Sequence, residues 1–218
     1  MPVVSKRQRQ TGALQELHEE RVLNECAEAV RIKPPMRIVE KRQVLSAAEM
    51  DRTLQRLAYE IVEKSGGTAD LALIGVRRRG VPLADRLAHL IRAFAKVDVP
   101  VGTLDITLYR DDLSTVAWQP VVQSTDIPFA VDDRDIVLVD DVLYTGRTAR
   151  AAMNALFDLG RPKRVRLCVL VDRGHRELPI EASFVGAAVQ TSDSEMIEAR
   201  LREIDGEESV VLVDRIAD

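Results

Sequence analysis

Cysteine is scarce in this chain, with Cys26 and Cys168 the only two in 218 residues. Neither sits in a Cys-x-x-Cys or Cys/His cluster, so a disulfide framework is excluded and a reducing cytoplasm is the expected setting. Long apolar runs are missing as well. The basic start (Lys6, Arg7, Arg9) is followed by no apolar segment of signal-peptide length, so the chain reads as neither secreted nor embedded in a membrane. An excess of positive charge is also lacking: 31 basic against 35 acidic residues leave a net charge of -4, which argues against a general nucleic-acid coat and leaves only local basic patches to consider. The sequence holds no Gly-x-x-x-x-Gly-Lys-Ser/Thr phosphate loop and no Gly-x-Gly-x-x-Gly fingerprint, which removes ATPase and dehydrogenase readings. Low-complexity tracts are absent. What remains, 46% hydrophobic and 30% charged residues, is an ordinary globular composition with length for one domain plus an appendage, or two small domains.

Residues 1–35 differ from the rest. They combine a basic start, a weakly amphipathic stretch from Leu14 to Val30 and the boundary Pro34-Pro35. This extension reads as disordered or untranslated, with Met36 as the start, or as a basic arm. From Met36 to the C-terminus the pattern is regular. Ser46-Ala47-Ala48-Glu49 has capping-box spacing, and Met50, Leu54, Leu57, Ala58 and Ile61 recur at helical intervals until Gly66-Gly67. Leu71 to Val76 is an apolar run suited to a strand buried on both faces, followed by the polar loop Arg77-Arg78-Arg79-Gly80 and a helix from about Pro82 to Ala95. The same order returns with a strand at Ile136–Val139, a loop from Asp140 to Arg147 and a helix from about Thr148 to Leu159. A third buried run, Val165 to Val171, follows, and the alternation at Ile197, Ala199 and Leu201 together with Val210 to Val213 predicts a closing pair of strands. Strands alternating with helices predict an α/β fold with a mostly parallel central sheet flanked by helices, and ligands at the carboxyl ends of its strands.

The segment with the most chemistry is the thirteen residues from Ile136 to Thr148. Two carboxylates, Asp140 and Asp141, end a buried strand, and Tyr144-Thr145-Gly146-Arg147-Thr148 turns into a helix. A phosphate at that turn would meet free backbone N–H groups, the helix dipole and the hydroxyls of Thr145 and Thr148. A side chain at Gly146 is expected to crowd the anion. Carboxylates side by side suit a vicinal diol, so the implied ligand carries a phosphate and a diol one ribose apart. An isolated Asp-Asp pair would read as a helix cap facing water; the whole arrangement points to one ligand.

This segment resembles the phosphoribosyl-pyrophosphate signature of type I phosphoribosyltransferases. Together with Asp105 to Ser114 and Val171 to Ile180, it is similar to the family of bifunctional pyrimidine-operon attenuators and uracil phosphoribosyltransferases, from about Met36 onward. The resemblance implies a type I phosphoribosyltransferase fold with a small hood, and a reaction joining uracil to phosphoribosyl pyrophosphate to give UMP and pyrophosphate. It implies Asp140 and Asp141 on the ribose hydroxyls, Tyr144 to Thr148 around the 5′-phosphate, and Arg77, Arg78, Arg79 and Gly80 at the pyrophosphate. Tyr109 and Arg110 would lie near the tip of a closing loop. Val171, Asp172 and Arg173 would cover the base, with Asp172 near Mg²⁺ that is bound mainly through phosphoribosyl pyrophosphate. It also implies binding of pyrimidine-operon leader RNA in response to UMP or UTP, through Arg56, His175 and Arg176, by a homodimer or larger assembly. Gln55, Tyr59 and Ala187 depart from the family pattern at that RNA surface. The alternatives are a salvage enzyme without RNA binding, or a phosphoribosyltransferase for another base such as a purine.

Overall fold

In a computed structural model, the structure describes residues 36–111 and 124–217. The Leu14–Val30 stretch, Cys26 and the end of the Asp105–Ser114 segment lie outside the described residues. Residues 38–215 form one compact unit; residues 1–37 and 216–218 form another, of which only 36, 37, 216 and 217 are described.

The chain starts with β1 (Met36–Ser46) and α1 (Ala47–Ser65). The N–H and Oγ–H of Ser46 both donate to the Glu49 carboxylate, at 2.8 and 2.6 Å, which fixes the helix start where the spacing predicts it. The five positions of the predicted apolar stripe are the five that α1 buries. Gly66 closes the helix at φ 70°, its N–H bonded to the Glu63 carbonyl. Then follow β2 (Leu71–Val76), α2 (Gly80–Ala95), β3 (Val101–Leu104), a 3₁₀ turn (Thr107–Tyr109), β4 (Asp135–Leu143), α3 (Arg147–Phe157), β5 (Arg164–Asp172), β6 (Phe184–Ala188), β7 (Glu195–Arg200), the short α4 (Arg202–Asp205) and β8 (Ser209–Ala217).

Five strands form a sheet of order β3-β2-β4-β5-β6 in which every pairing is parallel. Its central strands serve two cores by alternation. Leu71, Leu73, Val137 and Val139 pack with the apolar stripes of α1 and α2, whereas Ala72, Ile74, Ile136 and Leu138 pack with Ala151, Ala152 and Leu156 of α3. The predicted closing pair is real: β7 and β8 run antiparallel, and with β1 they form the separate three-stranded sheet of the hood. No described helix is long and apolar enough to cross a membrane.

Two features depart from the sequence reading. The strand expected to end at Val139 continues to Leu143, because Asp140, Val142 and Leu143 still pair with Val169, Val171 and Asp172 of β5. Backbone pairing does not depend on side-chain polarity, so the carboxylates stand on the strand itself and not in the loop after it. The edge strands β3 and β6 go unread because they are short and half-exposed, β3 interrupted by Thr103 and β6 made mostly of small residues.

Candidate active site

The carboxyl ends of β2 and β4 meet in a cavity of about 400 Å³, lined by Arg77 to Arg79, Asp105 to Thr107, Arg110, Asp140 to Val142 and Thr148. Close backbone contact brings the arginine loop there. A Cβ on Gly80 would lie 2.2 Å from the Val139 carbonyl oxygen, and one on Gly75 would lie 2.6 Å from the Gly80 carbonyl oxygen. Only glycine lets the loop seat against both strands. The Arg77–Arg78 peptide is cis.

The three arginines differ in their ties. Arg77 donates to the Ser124 carbonyl at 3.2 Å. Arg78 is exposed and makes no hydrogen bond or ion pair with a described residue. Arg79 donates through Nε and Nη2 to both oxygens of Asp205, at 3.2 and 2.8 Å, reaching a segment 126 positions away in sequence.

Asp140 and Asp141, near the carboxyl end of β4, line the same cavity. The Asp141 N–H donates to Asp140 Oδ1 at 3.0 Å, and the Val142 N–H to Asp141 Oδ1 at 2.9 Å. Burial, and behind it the neighbouring Asp141 carboxylate, raise Asp140 well above the usual carboxylate range. Asp105 stands opposite the pair; its Oδ1 accepts the Thr107 N–H at 2.8 Å and hydroxyl at 2.6 Å. Asp105 is a lining residue that sequence reading placed only within a longer segment, although Asp-x-Thr is the spacing of an Asx turn.

The turn from Tyr144 leads into α3, with Gly146 directly before the helix. Gly146 has φ 90°, and a Cβ there would come 3.3 to 3.4 Å from Ile180 and Leu178. Backbone conformation and the nearby side chains of Leu178 and Ile180 favour glycine there. Thr145 anchors the hood, its carbonyl accepting the N–H groups of Glu177 and Leu178 at 3.0 and 3.1 Å. Arg147 turns outward to Glu177 at 2.7 Å and Asp111 at 2.6 Å. Thr148 alone of that turn lines the larger cavity; Tyr144 to Gly146 and Thr148 line a neighbouring one of about 80 Å³.

The remaining predicted residues separate. Arg110 lines the cavity, but the Tyr109 hydroxyl donates to Asp158 at 2.5 Å, beyond the end of α3. Val171 is buried. Partial burial of Asp172 works against its charge, yet hydrogen bonds from Arg176 at 2.5 Å and the Gly174 N–H at 2.9 Å hold its carboxyl below the usual range. Arg173 is 6% exposed, with its guanidinium 3.9 Å from the Tyr144 ring centroid and bonded to Thr191 and the Glu195 carbonyl. Arg176 also donates to the carbonyls of Tyr144 and Ile180, so it ties the hood loop to the end of β4. His175 sits at φ 56° with Nε2 2.6 Å from the Thr191 carbonyl. Arg56 is half-exposed, yet it donates to the Val185 and Gly186 carbonyls of β6 at 2.9 and 2.7 Å. Tyr59 stacks on Phe94 with centroids 4.1 Å apart.

Among the described residues no group of three or more His, Cys, Asp or Glu side chains could hold a metal ion. A larger cavity of about 690 Å³ between α1, α2 and α4 contains Arg86, whose guanidinium is fully engaged by Glu203 and Glu208. The smaller cavity therefore holds the convergent acid and base groups a phosphorylated ligand needs.

Comparison with known proteins shows the family. Residues 41–202 match the phosphoribosyl transferase domain. Over 175 residues the chain is 59% identical to the bifunctional protein PyrR of Pelotomaculum thermopropionicum and 58% identical to that of Thermus thermophilus, in each case across 80% of this chain and 97% of the relative. Among solved structures, a hypoxanthine phosphoribosyl transferase from Trypanosoma cruzi shares the fold with a TM-score of 0.63 at 18% identity, covering 80% of this chain and 91% of that one. A hypoxanthine-guanine phosphoribosyltransferase from Bacillus anthracis gives 0.61 at 19%, covering 81% and 99%. The parallel sheet with its hood is thus the type I phosphoribosyltransferase architecture, and at these identities the chain belongs to the phosphoribosyl transferase family and, within it, to the bifunctional PyrR proteins.

Proposed function

We infer that this protein is a uracil phosphoribosyltransferase that also regulates the pyrimidine operon by binding its leader RNA in response to UMP or UTP. The observation that carries the catalytic half is the convergence of an acidic pair and an arginine loop on one cavity, at the carboxyl ends of adjacent parallel strands. That spacing suits a ribose held between a diol site and a pyrophosphate site. Asp140 and Asp141 accept the ribose hydroxyls, and Arg77 and Arg78 draw charge from the leaving pyrophosphate. The turn Tyr144 to Thr148 takes the 5′-phosphate on backbone N–H groups at the start of α3. Val171, Asp172 and Arg173 stand where the hood meets the base. Arg110 and Asp105 line the same cavity.

Mg²⁺ supplies charge neutralisation when it arrives with phosphoribosyl pyrophosphate. The residues fit an ion carried by its substrate: the acidic pair offers two adjacent carboxylates, while both oxygens of Asp172 are already engaged by Arg176 and Gly174. Asp172 then acts through the hood loop it orders. No side-chain nucleophile is needed, because positioning and electrostatics lower the barrier. The paired change Asp140→Asn with Asp141→Asn is expected to abolish UMP formation from folded protein; wild-type turnover by that variant would refute the assignment.

Leader RNA is the second ligand. The exposed part of Arg56 on α1, together with His175 and Arg176 in the loop after β5, would provide cationic and aromatic groups for single-stranded bases and phosphates. Filter binding of leader RNA with and without UMP tests this half. Nucleotide-dependent retention is expected. Its absence from protein that converts uracil would leave the salvage enzyme alone.

A further inference from the structure

Asp205 lies outside every motif read in the sequence. It is 126 positions from the arginine loop and sits at the end of the short α4, yet it makes a two-point contact with that loop. Arg79 presents Nε and Nη2 to the two carboxylate oxygens, the fork geometry that fixes a guanidinium in both direction and plane. The pair is partly buried, with side chains 32% and 21% exposed. Arg79 also lines the cavity that holds Asp140 and Asp141. With its Nε–H and one Nη2–H used by Asp205, the second Nη2–H and both Nη1–H groups of Arg79 have no partner among the described residues and are the donors left for a ligand.

The segment that carries Asp205 is itself firmly placed. Asp205 Oδ2 accepts the Leu201 N–H at 2.9 Å, closing α4 on itself. On either side, Glu203 and Glu208 grip Arg86 of α2 with four hydrogen bonds between 2.5 and 2.8 Å. A carboxylate anchored in this way acts as a fixed post and not as a mobile counter-ion.

We propose that Asp205 is a positioning residue for the transferase reaction: it aims Arg79 at the pyrophosphate of the bound phosphoribosyl pyrophosphate and leaves Arg78 to follow the substrate. This rests on the reading of the cavity as the phosphoribosyl-pyrophosphate site. Asp205 touches no substrate; its effect passes through the one arginine it holds. Arg79 therefore differs from Arg78, whose guanidinium is bonded to no described residue, and the loop combines one preset donor with one adaptable one. Preset donors lower the reorganisation needed on binding. The hydrogen bond from Arg79 holds the Asp205 carboxyl below the usual range, so the post stays charged wherever the enzyme works.

The test is a double-mutant cycle with steady-state kinetics. Asp205→Asn keeps an acceptor for the Leu201 N–H and removes the charged fork, so the fold is retained. It is expected to raise KM for phosphoribosyl pyrophosphate about tenfold while kcat and KM for uracil stay within about twofold. Arg79→Lys, which keeps the charge but not the fork, should give a similar loss. In an Arg79→Ala background, Asp205→Asn should add no more than about a twofold further effect. Losses that multiply in full, or a rise in KM for uracil in step with that for phosphoribosyl pyrophosphate, would overturn the proposal while leaving the enzyme assignment intact. A wild-type protein without turnover would instead overturn that assignment, and this inference with it.

Discussion

The loops after β2 and β4 follow one plan, strand then polar turn then helix, but under the proposed function they would meet an anion by different means. The Arg77–Gly80 loop relies on cationic side chains, and its backbone is pressed so tightly against β4 that a single carbon atom at Gly80 has no room. The Tyr144–Thr148 turn relies on backbone N–H groups, and its glycine answers to a φ of 90° and to the hood above it. Under the proposed function, two strands of one sheet would thus reach similar ligand groups through side-chain charge in one case and helix-terminal amides in the other. The first loop needs rigid seating because long arginines are otherwise free to wander. The second is held by the helix it starts.

Substitutions at the two glycines break this comparison most directly. Gly80→Ala forces a backbone shift against Val139 and is expected to cost about 3 kcal/mol or more, with loss of soluble protein or a greatly lowered unfolding midpoint in urea. Gly146→Ala meets only flexible side chains at 3.3 to 3.4 Å and an unfavourable φ, so a smaller loss of roughly 1–2 kcal/mol is expected by the same titration. Equal losses would show that the two turns are seated alike.

Asp140 sharpens the comparison from the other side. It lies under the tight loop, where burial raises its pKa, so the folded state holds its proton more firmly than the unfolded chain does. Stability is then lost as pH rises from the ordinary carboxylate range through the raised value, since the folded protein must give up a proton it prefers to keep. Asp140→Asn removes that penalty. The variant is expected to be more stable than wild type by roughly 1 kcal/mol at neutral pH, with the gain shrinking as pH falls through that window, while it loses activity. Thermal melts at several pH values check this, and a variant less stable at neutral pH would contradict it.

The smallest effect concerns Cys168, on β5 behind the second loop. Burial, with a further contribution from Glu60, pushes its thiol up to about 12. It is expected to resist iodoacetamide in native protein and to react only after denaturation, as peptide mass mapping would show. Labelling of the native thiol would mean that the core behind β4 opens more readily than its packing suggests.

Much of this molecule was legible in the sequence, for a local reason. The capping box at Ser46, the stripe from Met50 to Ile61, the buried runs of β2, β4 and β5 and the Asp140-Asp141 pair each depend on residues within a turn or two of one another. The edge strands β3 and β6 were not legible because half-exposed strands of four and five residues take their identity from the neighbour they pair with. The same limit held at the site. Sequence placed Arg56 and Arg176 as RNA contacts, yet each also spends several donors on backbone carbonyls of distant segments. It placed Tyr109 near catalysis, while the fold turns its hydroxyl to Asp158.

By itself, then, the sequence determined the strand–loop–helix order, the parallel sheet and the chemistry gathered at the ends of β2 and β4, since periodicity and short motifs are written in consecutive residues. Only the tertiary structure decided that Gly80 must be glycine because of Val139, that Gly146 answers to Leu178 and Ile180, and that Arg79 is held by Asp205. Those are contacts between segments far apart in the chain, and no local pattern records which distant group will arrive at a given side chain.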